Sequence, residues 1–565
     1  MKSIGFKNFR KFEDFPSIEL GDVTYLVGQN NAGKSTMVKA AILVLENLKQ
    51  KDLIPFGNEA YFSFVTPVHD LHIETFERAL HHGSAEKRIK FSVSLGDFDF
   101  EITVVPDDAE VLYNFNQDDN TRVASINTFI VKDNKLGVRL EIHPFINKYV
   151  LEFDNAKSSS TLKTQALIDE VNGKITELEE SLKNAPNSME KVSLVSLDLK
   201  AKLEELQRYQ KRLANRLKAG LKTKLVFNSL YLAYPQYSES MYSIVREIEA
   251  FKSMAKYDKS NKKARFSSLS LGLSEKEKKQ QGQSLTKLRK YAEVLGEMAD
   301  RLNSILYSID VAYMPAHLAT QDSVLNSHTK DIFAKVVDEY VHRTEIFDRD
   351  GHVYRFIKRW MDKDHFNIGK EFNIKEVLPG YYTLNIDTYD NGVMQVGDMG
   401  MGTNQLMILL LHIANKMRYA RKTNNMSTIQ EDNEAKRPFI LIEEPEQNLH
   451  PNLQSKLADF IYELANNYGM QFVIETHSEY IIRQNQVIVK GLKFKDQKDV
   501  DGNCALQVYY FTHDGAPYSM EFKPSGHFKQ SFEHGFFDIA GLLAFRLSDY
   551  EQTQNEDKSF DWTSL

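Results

Sequence analysis

The chain has 565 residues, 42% of them hydrophobic, a formal net charge of −7 and a single cysteine, Cys504. That length supports several domains with sizeable cores, the charge argues against a uniformly cationic nucleic-acid coat, and one cysteine excludes an internal disulfide and a cysteine-based metal site. No stretch reaches the roughly 20 uncharged apolar residues of a membrane span, and residues 1–10 read as a strand and not as a secretory leader, so a cytoplasmic location without membrane contact is expected.

The apolar run 23–27 predicts a strand and residues 37–48 predict a helix. Between them Gly28, Gln29, Asn30, Asn31, Ala32, Gly33, Lys34, Ser35 and Thr36 fit the pattern GxxxxGK[ST]. Such a loop works as a hinge between a strand and a helix whose N-terminal amides face phosphates. Glycines let the backbone wrap a phosphate, Lys34 reaches the terminal phosphate oxygens, and Ser35 offers its hydroxyl to Mg²⁺. A nucleoside triphosphate, ATP, with Mg²⁺ is the expected ligand.

Segments 88–95, 98–105 and 137–143 alternate apolar and polar residues and predict antiparallel strands with one buried face. From residue 167 the period changes. Ile168, Val171, Ile175, Leu178 and Leu182 form a heptad seam, residues 184–188 break it, and Leu199, Leu203, Leu206, Leu213 and Leu217 form a second seam that Gln210 interrupts. Two helical arms in a short antiparallel hairpin, or two ordinary amphipathic helices, fit this pattern. Helical character continues through 241–254 and 285–306. Between and across them run Lys252, Lys256, Lys259, Lys262, Lys263 and Arg265, then Lys276, Lys278, Lys279, Lys287, Arg289 and Lys290. The region 252–290 is therefore either a solvated polar stretch or a contact for a nucleic-acid backbone.

A second group of motifs follows far downstream. Residues 438–442 predict an apolar strand that ends in consecutive carboxylates, Glu443 and Glu444. At a strand's C-terminal end they suit a ligand crevice of an open α/β sheet, Glu443 holding Mg²⁺ and Glu444 accepting a proton from the attacking water. Another strand, 471–475, runs into Thr476, His477 and Ser478, with His477 placed to sense a γ-phosphate. Between the halves, Gly400, Gly402 and Gln405 open an apolar helix at 406–414, and a glycine-rich helix start is an anion-binding device. The stretch between Lys34 and Glu443 is too long for one compact nucleotide domain, so the two halves of the site must meet around an insertion.

Phosphate loop, glycine-rich helix start, paired glutamates and Thr-His-Ser occur here in the order found in ABC-type ATPases of the SMC and RecF kind. The chain resembles that superfamily, and the string from Glu443 to Pro451 resembles its bacterial overcoming-lysogenisation subgroup. Residues 7–10 are similar to the superfamily's first strand, whose basic residue, here Arg10, lies near the nucleotide. The resemblance implies an α/β P-loop ATPase head of an antiparallel-strand lobe and an α/β lobe, with an inserted helical region. It divides the chain into 1–160, the N-terminal half of the head, 161–308, the helical insertion, and 309–565, the C-terminal half. It also implies a homo-oligomer, with ATP between Lys34 of one protomer and Gly402 of another.

Two positions depart from the superfamily pattern. Gly400 replaces the usual signature serine and Glu443 the usual magnesium aspartate, so slow turnover is expected. Residues 311–321 resemble a segment of the ATPase subunit of Septu and Septu-type retron anti-phage defence systems, except that Leu318 stands in the usual arginine place. In that comparison Gln321 is a candidate γ-phosphate-sensing residue, although an ordinary surface glutamine fits the position as well. The segment after His477 shows no acidic cluster of a Toprim nuclease. The resemblance therefore implies an ATPase that controls a separate HNH-type nuclease partner. Two alternatives stand beside it: a repair or recombination ATPase that binds DNA itself, and an ATP-binding scaffold or sensor without turnover.

Overall fold

In a computed structural model of the chain, the described residues are 1–50, 60–66, 71–106, 123–154, 168–177, 179–180, 201–211, 222–228, 243–256, 275–316, 322–329, 331–343, 351–417, 437–492, 506–513, 515–532, 543 and 546. Two compact units result, one of Met1–Ile4, Phe9–Glu46 and Tyr307–Leu565, the other of Gly5–Asn8 and Asn47–Leu306.

The first unit is built on a six-stranded sheet. Its order is Ile309–Met314, Arg437–Glu443, Gln471–Glu475, Val23–Gly28, Leu506–Phe511 and Tyr518–Ser519. The first five strands run parallel and the last is antiparallel to its neighbour. Val23–Gly28 and Gln471–Glu475 are buried at every residue. Strands covered on both faces need near-continuous apolar runs rather than alternation, and residues 25–27 and 472–474 supply them. Helices Lys34–Leu48, Met401–Met417, Pro451–Tyr468 and Glu479–Gly491 belong to this unit. Pro451–Tyr468 begins with the His450 side chain accepting from the Asn452 N–H and Pro451 in the first turn, and stops at Gly469 with φ 62°. A smaller sheet joins Leu325–Asn326, Glu371–Leu378, Tyr381–Asp387 and Val393–Gln395.

The second unit carries an antiparallel sheet in the order Lys222–Asn228, Lys148–Asp154, Val138–His143, Val123–Asp133, Phe98–Val105 and Ile89–Leu95. Ile89–Leu95 and Phe98–Val105 alternate buried and half-exposed residues, the pattern of a sheet with one packed face. Residues 168–177 and 201–211 are helical, and the Gln210 Nε2 donates to Asn172 Oδ1 at 2.6 Å, so the residue that interrupts the second seam ties one arm to the other. The turn at 184–188, Leu178, Leu182, Leu199, Leu213 and Leu217 lie outside the described residues. Lys222–Asn228 pairs with Lys148–Asp154 over its whole length within the second unit, and the two units adjoin in the sequence between Leu306 and Tyr307.

Residues 275–308 form two helices, Glu275–Leu288 and Ala292–Ser308, joined by a 3-10 turn at Arg289–Tyr291. Lys279, Lys287 and Lys290 are exposed there, whereas Lys252 is paired with Glu249 at 2.7 Å. Lys259, Lys262, Lys263 and Arg265 lie outside the described residues, as does Cys504. Among the described residues no helix is long and apolar enough to cross a membrane.

Candidate nucleotide-binding site

Three strands of the parallel sheet bring their C-terminal ends to one edge of the first unit. Glu443 and Glu475 are register partners on adjacent strands, and Glu475 is paired in turn with Leu26 on the strand that enters the phosphate loop. The loop's shape follows from close packing. Gly28 has φ 130°, and a Cβ there would lie 2.1 Å from the Phe511 carbonyl oxygen. Gly33 has φ 104°, and a Cβ would lie 2.4 Å from the Phe12 ring. Both conformations are ones that side chains rarely adopt. Asn31 is also left-handed, at φ 59°, and Asn30 and Asn31 are exposed at the crest of the loop.

Lys34 is only 2% exposed and lies under that loop. Its Nζ donates to the Gly28 carbonyl at 3.2 Å and the Gln29 carbonyl at 2.8 Å, and lies 3.9 Å from a Glu475 oxygen. Burial holds its pKa below the ordinary lysine value, opposed by Glu475, Glu444 and Glu446. Ala32 and Thr36 are buried, and the helix Lys34–Leu48 begins with the Gly33 carbonyl accepting from the N–H groups of Thr36 and Met37. Its positive end therefore points at the loop. Lys11 donates to the Asn31 carbonyl at 2.8 Å and so braces the loop. Arg10 sits in a left-handed turn at φ 51°, and its charge opposes the burial that raises the Tyr313 pKa.

The carboxylates divide by partner. Tyr313 hydrogen-bonds to the Glu443 side chain, which also receives the Ala316 N–H. Burial raises the Glu443 pKa, with Lys39 opposing. Glu444 has a left-handed backbone, φ 48°, its N–H donates to the Glu475 carbonyl at 2.8 Å, and its side chain accepts from Gln447. Glu446 accepts the His477 N–H at 2.6 Å. His477 is exposed, and loss of hydration together with Lys34 holds its pKa below the ordinary value. Ligand atoms of Glu444, Glu475 and His477 all lie within 4.8 Å of one another.

These residues fit a magnesium nucleotide. Glu443 Oε1, Glu446 Oε2 and Glu475 Oε2 are buried acceptors without a hydrogen-bond partner. Buried unpaired carboxylate oxygens are costly unless a cation meets them, and a set of hydroxyl and carboxylate oxygens suits Mg²⁺.

Glu475, Tyr313 and Lys11 were not among the residues that motifs single out. A signal for Glu475 was nonetheless present, since both apolar strands end in the same Ile-Glu pair, Ile442-Glu443 and Ile474-Glu475.

The helix Met401–Met417 starts at Gly400, whose carbonyl accepts from Thr403 at 2.9 Å and Asn404 at 3.3 Å. Gly400 is exposed, and nothing lies within 4 Å of a Cβ built on it. Gly402 is different: a Cβ would lie 2.5 Å from the Asn448 carbonyl oxygen, so this glycine lets the helix start close on the turn after Glu446. Gln405 is 3% exposed and so is buried in the unit rather than presented to solvent. Gln321 lies outside the described residues. Two glycines therefore give opposite expectations. Gly28→Ala should lower stability by about 2 kcal/mol or more. Gly400→Ser, at a helix cap that serine favours, should be neutral or stabilising by a few tenths of a kcal/mol. Urea unfolding of the two variants checks both.

Among curated proteins, no relative matches this chain. Solved structures similar to it include an Smc head domain with an extended coiled coil bound to the C-terminal domain of ScpA from Pyrococcus furiosus, with 12% identity, 97% of this chain and 99% of that chain covered, and a TM-score of 0.32. An Smc head domain with a coiled coil and joint from Pyrococcus yayanosii gives 11%, 93%, 97% and 0.32. The SMC head domain from Thermotoga maritima gives 11%, 92%, 98% and 0.29. The family model for the AAA ATPase domain matches residues 1–482, from the first strand past His477. The chain belongs to the AAA ATPase domain family.

Proposed function

We propose that this chain is a magnesium-dependent ATPase of the ABC type, in which bound ATP joins two copies and is hydrolysed slowly. The observation that carries the reading is the convergence of Lys34, Ser35, Glu443, Glu444 and His477 at one edge of a single parallel sheet. Lys34 would neutralise the terminal phosphates, and Ser35 with the neighbouring carboxylates would hold Mg²⁺, which supplies further charge neutralisation. Glu444 would take the proton from the attacking water, and His477 would meet the γ-phosphate. Slow turnover follows from Glu443, one methylene longer than the usual aspartate and engaged by Tyr313 and Ala316. The exposed helix start at Gly400 is available to a nucleotide held by a second copy, with Gly402 fixing its position on its own chain.

At a finer level, we read the chain as the nucleotide-controlled subunit of a bacterial anti-phage complex whose HNH-type nuclease is a separate protein. Support comes from the similarity of residues 311–321 to Septu-type ATPase subunits. Sedimentation tests the coarser reading: Mg²⁺ and ATP should shift the protein to a dimer or larger assembly. Lys34→Ala should abolish that shift, because about 1.5–3 kcal/mol of charge-assisted hydrogen bonding to the phosphates is lost. An assembly state indifferent to ATP would overturn nucleotide-controlled association. Purification of the tagged chain from its host tests the finer reading, which fails if no nuclease accompanies it with or without ATP.

A further inference from the structure

The His477 segment, the turn after Glu444 and the helix start at Gly400 are far apart in the sequence, and one side chain, Gln454 on the helix Pro451–Tyr468, bonds the first of these to the second. We propose that Gln454 is a positioning residue that couples His477 to the helix start at 400–402, so that nucleotide contact at the histidine sets whether this helix start receives a second copy. The inference rests on the ATPase reading above and adds how the nucleotide's presence reaches the surface where copies join.

The contacts form a continuous path. Ser478, next to His477, is 4% exposed, and its hydroxyl donates to Gln454 Oε1 at 2.6 Å. Gln454 Nε2 then donates to the Leu449 carbonyl at 2.9 Å. The helix start rests on the same turn: a Cβ on Gly402 would lie 2.5 Å from the Asn448 carbonyl oxygen and 3.1 Å from Leu449 Cδ2. Contacts this close pass a displacement on, because packed interiors have few voids and low compressibility, and coupling travels through such chains of packing and hydrogen bonds. The turn itself has two left-handed residues, Glu444 at φ 48° and Asn448 at φ 59°. Backbones of that kind persist where their surroundings hold them, and Gln454 supplies part of the hold. A plainer role, satisfying a carbonyl just ahead of its own helix, would need only the Leu449 bond. The Ser478 hydroxyl already caps its own helix by accepting the Ile481 N–H at 3.2 Å, yet it also donates to Gln454. Both ends of the amide are therefore used, one on each segment, as a group that both accepts and donates allows.

Two measurements on the full chain with Mg²⁺ and a non-hydrolysable ATP analogue test the coupling. One is the affinity for the analogue in protein too dilute to assemble, the other the protein concentration at which the analogue drives half-assembly in sedimentation. In Gln454→Ala the affinity should stay within about twofold of wild type while the assembly concentration rises roughly tenfold, inside the ~5–150-fold range over which two sites in one protein are typically coupled. Gln454→Glu can accept the Ser478 hydroxyl but has no N–H for the Leu449 carbonyl, so it should behave like the alanine variant. Adding Ser478→Ala to Gln454→Ala should raise the assembly concentration no further, because the path is already cut. Wild-type assembly in either Gln454 variant overturns the proposal, and so does full additivity of the two alanine substitutions. A loss of affinity in dilute protein as large as the loss of assembly, the result of a merely structural role, overturns it too. If the alanine variant does not fold, the glutamate variant carries the test. A wild type that does not bind the analogue, or binds it without assembling, would instead remove the reading on which the coupling rests.

Discussion

Glu444→Gln is expected to slow phosphate release by roughly 10²–10⁴-fold while ATP stays bound, the range lost when a positioned general base is removed. The geometry makes this a clean substitution. Glu444 is held in a left-handed turn at φ 48°, with its N–H on the Glu475 carbonyl at 2.8 Å, so the backbone and not the carboxylate charge sets its place. Gln447 donates to its side chain, and a carboxamide oxygen can accept the same bond. The isosteric change removes proton affinity and little else. Single-turnover phosphate release, measured beside retention of labelled ATP, checks it, and the ATP-bound assembly should persist longer than in the wild type. A loss below about fivefold would move the base to another group at this edge, with Glu446 and His477 the nearest candidates, since a base that matters costs far more than that when removed.

Much of the α/β unit is legible in the sequence because its central strands are covered on both faces and therefore read as near-continuous apolar runs. Residues 23–27, 438–442 and 471–475 are such runs, and each forms a strand within a residue or two of its expected bounds. The antiparallel segments 88–95 and 98–105 were legible for the opposite reason, strict alternation. The smaller sheet escaped. Glu371–Leu378 alternates only over its first half, is exposed over its second, and is broken by a register shift between Glu376 and Leu378. Lys222–Asn228 is a short strand whose partner lies beyond the whole helical hairpin, so nothing local indicates that it closes the second unit's sheet. Strand order is likewise non-local, so the motifs mark Glu475 as the end of a strand and not as part of the site. Its place beside the phosphate loop follows from Gln471–Glu475 inserting between the strand that precedes it in the chain, Arg437–Glu443, and Val23–Gly28 from the far N-terminal part.

In the absence of nucleotide, the protein is expected to lose stability as pH rises from about 4.5 to about 7, and Glu475→Gln should remove most of that loss. Burial, with the neighbouring Glu443 adding to it, pushes the Glu475 carboxyl from its ordinary 4.5 up to about 7, against the opposing Ser35 hydrogen bond. The sign follows from proton counting. Between those values the unfolded chain has released the proton and the folded chain still holds it, so the folded state binds more protons and stability falls with rising pH. Below the lower value both states are protonated and the penalty vanishes; above the upper one both are ionised and it is constant. The full difference is on the order of 3 kcal/mol, from 1.36 kcal/mol per pKa unit. Glutamine has no proton to lose and can still accept from Ser35, so the variant should be the more stable protein at pH 8 and indistinguishable near pH 4.5. Urea unfolding followed by the fluorescence of Trp360, 3% exposed in the core of this unit, reads the difference at each pH. Glu443, also raised by burial, leaves a residual slope in the variant. A wild-type curve that is flat or rises between pH 5 and 8, with the variant parallel to it, would show that Glu475 is ionised in the folded protein with no penalty to relieve, and that the site at the sheet edge is wetter and less charged than its packing implies.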